Sequence, residues 1–425
     1  MKVALVTTPA GARSGIGDYT RHLLPYLRER CQVELFVESG REGENGEDGA
    51  RPLAELRPRE HDQILYQLGN EVQHAFMAPT VRAIGGTVVL HDWVLFDLAV
   101  AASPALARGG WGGQRLAARE GGLRQALVYA RNRRGVVPRD ESAPPAARGL
   151  SRDRFDLPLN RSIVRHADAF LVHSEWMARA VREDRNARTP LAVVPHGAER
   201  RWRDEERAAA RRRLGLSGEW VSGFLVTSLG SVQPHKRVAS LLEALALARR
   251  ERPGLRLLLA GEARPDEYDL DGAVRRLGLS DAVRATGYLA EERCWDALHA
   301  ADLCVNLRGP STGGASGGAF QAFGLGRGVI VSDLPENAEL ADECVVRVPH
   351  GAREVAELAR HLIELRDDPE RRARMEAGAR RFVEETCHWG LVAARYVEAL
   401  ESFPSARGAR RALVVGLLRS RRPEA

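Results

Sequence analysis

Short, continuous apolar runs recur along the first half of the chain, and each ends in small or polar residues. They lie at 2–7, 33–38, 63–69, 86–92, 167–174 and 191–197. A parallel strand that is covered by helices on both faces has this composition. The pattern therefore predicts parallel strands, with a helix after the first strand that includes the stretch DYTRHLLPYLRER.

The same rhythm restarts in the second half, where strands alternate with helical stretches of ten to fifteen residues. Strands are predicted at 223–231, 255–263, 282–289 and 329–333, and WDALHAADLCVNLR predicts a helix, a turn and a further strand. The fold class is therefore α/β, with two doubly wound, Rossmann-like domains. The charged stretch 198–222 marks the boundary, which gives a first domain of residues 1–198 and a second of 199–388.

The region 104–155 departs from this rhythm because it is rich in Arg, Gly and Pro and has a weak helical period. We expect one or two surface helices there, followed by a mobile loop around RDESAPPAARG. A chain of 425 residues and 44% hydrophobic content suits two globular domains.

The five cysteines are scattered and form no CxxC pair, which argues against a zinc site or a disulfide framework and fits a reducing compartment. The apolar start MKVALVTTPA is shorter than the core of a signal peptide. No apolar run approaches the roughly 20 residues that cross a bilayer. We therefore expect a cytoplasmic protein.

The net charge of +6 invites a nucleic-acid interpretation, but the arginines are spread along helical faces and mixed with acids. No aromatic-basic recognition module is visible, so no nucleic-acid partner is expected. The tail ARGARRALVVGLLRSRRPEA is different, since it surrounds an apolar run with arginines. It suits peripheral contact with an anionic membrane, for example at the inner face of the cell membrane, or packing as a terminal helix, and the sequence leaves both open.

Lysine occurs only at Lys2 and Lys236, beside 61 arginines. Lys236 follows an apolar run and precedes a helical pattern in GSVQPHKRV. A compact ammonium differs from a flat guanidinium when it faces a phosphate in a tight loop. Survival of one lysine by chance is the alternative to a phosphate-binding role.

Two glycine-rich segments follow predicted strands and open helices. The first contains Gly15 and Gly17, and the second, GPSTGGASGGAFQAFG, contains Gly313, Gly314, Gly317 and Gly318. Bare N–H groups at a helix start, together with the helix dipole, form an anion site that Lys236 could also reach. The alternative is a tight strand-to-helix turn that needs glycine for the first segment, and a flexible glycine loop for the second.

Ligands of doubly wound sheets bind at the carboxyl ends of the strands, where polar residues cluster in this chain. Two domains that each present such an edge suggest a cleft between them. The candidates are Gly15, Gly17, Gly69, Asn70, His91, Asp92, His173, Ser174, His196, Lys236, Glu262, Tyr288 and the segment 308–321.

Several stretches occur in an order that is recognisable: SGIGDYTRHLL, YQLGN, LHD, VPHG, SLGSVQPHKR, LRLLLAGE and AFGLGRGVIVSD. With these motifs the chain resembles the retaining glycosyltransferases of GT-B fold in glycosyltransferase family 4, from about Met1 to Leu400. The resemblance implies two domains that face each other across a cleft, with residues 389–425 packed back on the first. It also implies transfer of a sugar from a nucleotide-diphosphate sugar to a glycan, lipid or other hydroxyl acceptor, as in polysaccharide biosynthesis. Neither a metal nor another cofactor is expected.

The resemblance also implies roles for individual residues. Lys236 matches the lysine that binds the donor diphosphate, and His91 the histidine near the transferred sugar; these two are the expected catalytic residues. Ser231 stands where an arginine is usual, so Arg237 or Arg308 would supply the second charge. The expected donor-binding residues are Gly15, Gly17, Ser231, Lys236, Arg237, Glu262, Tyr288, Leu289, Arg308, Gly313, Gly314, Ser316, Gly317, Gly318 and Gln321.

The chain departs from the family in its Glu-x7-Glu motif. Gln321 replaces the second glutamate, a ribose ligand, and the first would fall at Gly313 or Gly314, which have no side chain. An amide can still bond a hydroxyl, but without charge. A degenerate protein that binds nucleotide or glycan, or scaffolds partner enzymes, is therefore an alternative, as is a sugar-nucleotide epimerase of similar fold.

Overall fold

The computed structural model describes residues 1–9, 12–41, 49–133, 152–184 and 189–406. The loop RDESAPPAARG, which was predicted to be mobile, lies outside the described residues. The basic tail from Arg407 onwards, with its two alternatives of membrane contact and a packed helix, also lies outside them. The chain forms two units. Unit 1 comprises Met1–His196, Thr312–Ala315 and the C-terminal segment from Trp389, and unit 2 comprises Gly197–Ser311 and Ser316–His388.

Unit 1 contains a parallel sheet of seven strands in the order β3-β2-β1-β4-β5-β6-β7. All six predicted strands form, and each is a few residues shorter than or offset from its apolar run. The additional strand β3 has only two residues and lies at the edge of the sheet. The strands are β1 Lys2–Val6, β2 Gln32–Val37, β3 Arg51–Pro52, β4 Gln63–Leu68, β5 Thr87–Leu90, β6 Ala169–Val172 and β7 Leu191–Val193.

Helices cover both faces of this sheet, which explains why its central strands are fully buried. The region 104–155 contains the 24-residue α5, whose helical geometry is interrupted at Gly122. The first helices are α1 Gly15–Arg28, α2 Met77–Ile84, α3 Phe96–Ala102, α4 Pro104–Arg108, α5 Gly110–Arg133, α6 Arg161–His166 and α7 Glu175–Asp184.

Unit 2 contains a parallel sheet of six strands in the order β10-β9-β8-β11-β12-β13. Five of its strands are the predicted ones. The strands are β8 Phe224–Leu229, β9 Leu255–Ala260, β10 Val283–Ala285, β11 Leu303–Asn306, β12 Val329–Ser332 and β13 Val345–Val348. The helices are α8 Arg207–Arg213, α9 Glu219–Ser222, α10 Val238–Glu251, α11 Leu270–Arg276, α12 Glu291–Ala300, α13 Gly317–Gly324, α14 Glu354–Asp367 and α15 Pro369–Phe382.

The last described helix, α16 Trp389–Ser402, packs on α1 of unit 1. The Tyr19 and Tyr396 hydroxyls lie 2.8 Å apart, and the ring of Tyr19 meets the indole of Trp389 edge-on. None of the helices in these described ranges combines the length and the apolar character that a membrane span requires.

Candidate active site

The loops after β8 and β11 meet at the carboxyl edge of the unit 2 sheet. Gly309 N donates a hydrogen bond of 2.8 Å to His235 O. The start of α13 approaches the same edge, because a Cβ on Gly318 would lie 3.2 Å from Asn306 Nδ2 and 3.6 Å from Leu229 O. Glycine therefore allows the helix to begin against two strand ends, where ligands of this fold class bind.

Lys236 lies in this edge, at the end of a 3₁₀ turn that spans Pro234–Lys236. Its Nζ is 3.8 Å from the position that a Cβ on Gly230 would take, so the side chain extends back over the end of β8. Gly230 has a φ of 120°, which a residue with a side chain rarely adopts. Lys236 as a whole residue is partly buried.

The structure separates the two arginines that the sequence left as alternatives for the second charge. Arg237 pairs with the carboxylate of Glu354 through two hydrogen bonds, one of them 2.9 Å between Nε and Oε1. Glu354 is 2% exposed and also accepts from Ser240 Oγ. Burial alone would raise the pKa of Glu354, but the hydrogen bond and charge of Arg237 outweigh it and lower that pKa. The charge of Arg237 is thus balanced by the carboxylate of Glu354 within the protein.

Arg308 lies instead beside the amino terminus of α13. Its guanidinium donates a hydrogen bond of 3.2 Å to Ser316 Oγ, and Ser316 is the N-cap residue of that helix. The Arg308 backbone N–H is held by Ser332 Oγ at 2.9 Å. Among the expected donor residues, Arg308 is therefore the arginine placed to act with the N–H groups of Gly317 and Gly318 on an anion.

The other expected donor residues of unit 2 lie around this edge. Gln321 is one turn into α13 and partly buried, and Ser231 and Leu289 are also partly buried. Glu262 is exposed after β9, with Arg264 Nε 3.9 Å from its carboxylate, and Tyr288 is 60% exposed after β10. These side chains are accessible to a ligand.

The glycine segment 313–318 does not form one donor loop as expected, because its halves belong to different units. Thr312–Ala315 pack in unit 1, and Ser316 onwards in unit 2. Gly313 has a φ of 80°, and a Cβ there would lie 2.4 Å from the Trp176 ring. A Cβ on Gly314 would lie 2.5 Å from His91 O and 2.6 Å from Asp92 Oδ1. Close packing therefore explains both glycines.

Asp92 holds this segment in unit 1. Its Oδ1 accepts from Thr312 Oγ1 at 2.6 Å, and its Oδ2 accepts from Asn70 N at 2.8 Å. Thr312 O in turn accepts from the backbone N–H groups of Trp93 and Val94 at 2.8 and 3.0 Å. The ends of β4 and β5 thus fix the conformation of residues that come more than 200 positions later.

His91 is buried, and both of its ring nitrogens have protein partners. His91 Nδ1 lies 3.1 Å from His173 Nε2, and His91 Nε2 lies 2.7 Å from the side-chain amide of Gln67. His173 Nδ1 donates to Val194 O at 2.9 Å, so a neutral His173 accepts from His91 Nδ1–H. His91 Nε2 must then accept, which requires the Gln67 amide to be turned so that its nitrogen, rather than its oxygen, occupies this 2.7 Å contact.

Burial also keeps these two imidazoles neutral. The pKa of His91 is lowered by burial and then by the neighbouring histidines 173 and 196. Burial lowers the pKa of His173 to about 4. Neither nitrogen faces an accessible ligand position, which favours a structural role for His91 at the end of β5 over the expected catalytic one.

Of the two glycines expected to approach the ligand in unit 1, only Gly15 is exposed, and a Cβ there would meet nothing within 4 Å. Gly17 has a packing role, because a Cβ there would lie 2.8 Å from Thr8 Oγ1. The N–H of Gly17 donates to Ser14 Oγ, the N-cap of α1, at 2.9 Å. The α1 terminus is thus partly satisfied by its own cap.

A cavity of about 390 Å³ lies in unit 1, and sequence reasoning did not single it out. Its lining combines two indole rings with charged groups: Trp93, Trp176, Arg179, Ala180, Glu183 and Asp184. Trp93 follows His91 and Asp92 after β5, and Trp176 follows His173 and Ser174 after β6. Trp93 lies one residue beyond the predicted strand 86–92 and Trp176 two residues beyond the predicted strand 167–174, so extending the strand-end rule by two residues would have found both.

Comparisons with known proteins address the activity. Residues 219–382, which lie almost wholly in unit 2, match the family model for glycosyl transferases group 1. The chain is 29% identical over 385 residues to a D-inositol 3-phosphate glycosyltransferase of Thermobispora bispora, an alignment that covers 79% of this chain and 87% of that protein. HepE of Anabaena, solved with UDP and glucose, has 18% identity and a TM-score of 0.61, over 95% of this chain and all of HepE.

The chain is a glycosyltransferase with the GT-B fold. A second solved structure supports the fold of this glycosyltransferase: sucrose-phosphate synthase of Thermosynechococcus elongatus has 16% identity and a TM-score of 0.64, over 94% of this chain and 98% of that one. A GDP-mannose-dependent mannosyltransferase of Corynebacterium glutamicum that acts on a monoacylated phosphatidylinositol monomannoside is 29% identical, over 47% of this chain and 52% of that protein.

Proposed function

We propose that this glycosyltransferase moves a hexosyl group from a nucleotide-diphosphate sugar to a hydroxyl of a glycan, lipid or other acceptor, with retention of the anomeric configuration. The observation that carries the proposal is the set of groups at the unit 2 sheet edge: Lys236, Arg308 and the amino terminus of α13. Together they offer two cations and bare N–H groups to a diphosphate.

The chemistry of transfer suits this set. Negative charge develops on the departing diphosphate while the sugar acquires oxocarbenium character, so groups that are already oriented towards the leaving group lower the barrier. Lys236 and Arg308 would supply that stabilisation from protein groups, and we propose that no metal is needed. Gln321 would hold the ribose through its neutral amide.

Acceptor recognition is proposed for unit 1. Its cavity places the indoles of Trp93 and Trp176 beside Arg179, Glu183 and Asp184. Indole rings pack on the apolar face of a sugar, while charged groups bond its hydroxyls. The relatives include a D-inositol 3-phosphate glycosyltransferase and a phosphatidylinositol monomannoside mannosyltransferase, and both names are compatible with a polyhydroxylated acceptor.

Two measurements test this proposal. A thermal-shift series with UDP-, GDP- and ADP-sugars should single out one donor, since a ligand at about 100 times its Kd stabilises by about 2.7 kcal/mol. Proton NMR of the product of that donor should then show the anomeric configuration of the donor sugar. An inverted product would refute retention, and donor binding without turnover on any acceptor tried would favour the binding-protein alternative.

A further inference from the structure

Helix α5 exposes three large apolar side chains to solvent. Trp111 is 85% exposed, Leu123 82% and Leu127 65%. The other exposed large hydrophobic side chains among the described residues are Val72, Leu247 and Tyr288, and they lie in three separate parts of the chain. Among the described residues, the exposed large apolar side chains are therefore concentrated on α5. Such a concentration marks an interaction surface.

The exposure does not result from poor packing of the helix. Gly122, with a φ of 77°, breaks α5, and the second segment returns along the first: a Cβ on Gly113 would lie 2.3 Å from Tyr129 Oη. Tyr129 Oη donates to Leu106 O at 2.6 Å, and Ala117 and Ala126 are buried on the inner side. The two segments thus form a packed hairpin with its apolar inner face already covered.

The outward positions recur every fourth residue on both segments, at 111, 115 and 119 and at 123, 127 and 131. They carry Trp111, Leu123 and Leu127 together with exposed arginines 115, 119 and 131, and Arg124 is exposed beside them. The single acid of α5, Glu120, is buried, and its carboxylate accepts from Ser162 N at 3.0 Å. The outward surface of the hairpin is therefore both apolar and cationic.

Charge complementarity selects the occupant of this surface. An indole and leucines set among arginines suit the boundary of an anionic bilayer, where apolar side chains enter the acyl region and guanidinium groups meet lipid phosphates. We propose that the α5 hairpin, through Trp111, Leu123 and Leu127, docks this glycosyltransferase on the surface of an anionic membrane. The inference is independent of the donor and acceptor proposed above.

Cosedimentation of the full chain with lipid vesicles tests the inference. Wild-type protein should bind vesicles that contain phosphatidylglycerol more strongly than vesicles of phosphatidylcholine alone, and added salt should weaken that binding. The variant Trp111→Ser/Leu123→Ser/Leu127→Ser should lower the partition coefficient by roughly tenfold or more. The variant Val72→Ser/Leu247→Ser, which removes exposed apolar groups elsewhere, should bind like wild type.

Replacing arginines 115, 119 and 124 by glutamine should remove the preference for phosphatidylglycerol. Because all these positions are exposed, circular dichroism and Tm should match those of the wild type, which separates lost docking from lost folding. Wild-type binding by the triple serine variant would overturn the inference. So would loss of binding on replacing only the tail arginines 419, 421 and 422, or light scattering that shows the α5 surface joining two copies of the chain.

Discussion

Thr312 Oγ1 donates a hydrogen bond of 2.6 Å to Asp92 Oδ1, which joins the strand-end motif LHD to the glycine segment that precedes α13. The same carboxylate oxygen lies against Gly314, where an added Cβ would be 2.6 Å away. The segment is therefore held by a specific contact of one side chain, and its glycines are required by the closeness of that contact.

Alanine at position 314 should consequently be harmful. In Gly314→Ala the new methyl group meets the backbone oxygen of His91 and Asp92 Oδ1, a side-chain atom that is held in place by the hydrogen bond from Thr312 Oγ1. We expect turnover to fall by about tenfold or more, with a stability loss of roughly 1–3 kcal/mol. Gly254→Ala is the matched control, since this exposed glycine lies outside the candidate site and a methyl group there meets nothing within 4 Å. Equal kcat and Tm in the two variants would show that the segment 312–315 is not closely packed.

Arg308 and Arg237 should respond differently to replacement by alanine, since Arg308 lies beside the amino terminus of α13 whereas Arg237 is paired with Glu354. Arg308→Ala and Lys236→Ala should weaken nucleoside diphosphate binding far more than nucleoside binding, because both cations border the proposed diphosphate site. Lys236→Arg should also bind poorly, since a guanidinium fork does not replace a compact ammonium. Calorimetric Kd values for the diphosphate and for the nucleoside provide the measurement.

Arg237→Ala should lower the free energy of unfolding. It leaves the buried Glu354 carboxylate without its cation, and breaking a buried pair typically costs about 3–5 kcal/mol. Urea unfolding should show that loss, whereas Arg308→Ala should change stability much less. Adding Glu354→Gln to Arg237→Ala should recover part of the stability by removing the isolated charge. A fully stable Arg237→Ala would mean that Glu354 finds another partner.

Substitutions of Gln321 test the proposal that its uncharged amide binds the ribose of the donor. Gln321→Glu should retain donor binding, because a carboxylate also accepts from ribose hydroxyls. Gln321→Leu should cost roughly 1–3 kcal/mol of binding through unpaired hydroxyls. Thermal shifts with the nucleoside diphosphate compare the three proteins. Wild-type affinity in Gln321→Leu would place the ribose elsewhere.

The buried histidines should make stability dependent on pH. Burial holds the pKa of His173 at about 4, whereas an unfolded imidazole binds its proton near pH 6.5. The unfolded state therefore holds more protons in this window, so stability should fall as pH drops from about 6.5 to about 4, by up to about 3 kcal/mol from this residue. His91, whose pKa is also lowered, adds in the same direction.

Calorimetry at pH 7 and pH 5 gives the measurement. His173→Gln should show a smaller fall in Tm between the two values than wild type, and His166→Gln, outside the cluster, should keep the wild-type fall. An unchanged pH dependence in His173→Gln would mean that folding does not lower the pKa of this imidazole.

The sequence predicted the strands well where they are continuously apolar. It missed β13 because Arg347 interrupts the apolar run; in the structure that guanidinium lies against the carbonyls of Asn337 and Leu340, at 3.1 and 2.6 Å. It missed β3 because two residues that include a proline carry no periodicity.

The candidate site was predictable at the level of strand ends, and less so at the level of side-chain partners. Strand ends follow from apolar runs, so Lys236, His91 and Asp92 could be named. The pairs Arg237–Glu354 and Asp92–Thr312 join residues 117 and 220 positions apart, and only the folded chain brings them together. The same is true of the buried partners of His91, which change the expected role of that residue.

The contact of Tyr19 with Tyr396 has a consequence for synthesis on the ribosome. Unit 1 begins with residues that emerge before any residue of unit 2, yet it also includes α16, which emerges after every residue of unit 2. Domains generally fold as units during translation, so unit 2 can be complete before unit 1 acquires its last helix. The nascent chain must therefore keep the α1 surface around Tyr19 uncovered through most of elongation, and a ribosome stalled before residue 389 would hold an unfinished amino-terminal unit beside a finished second one.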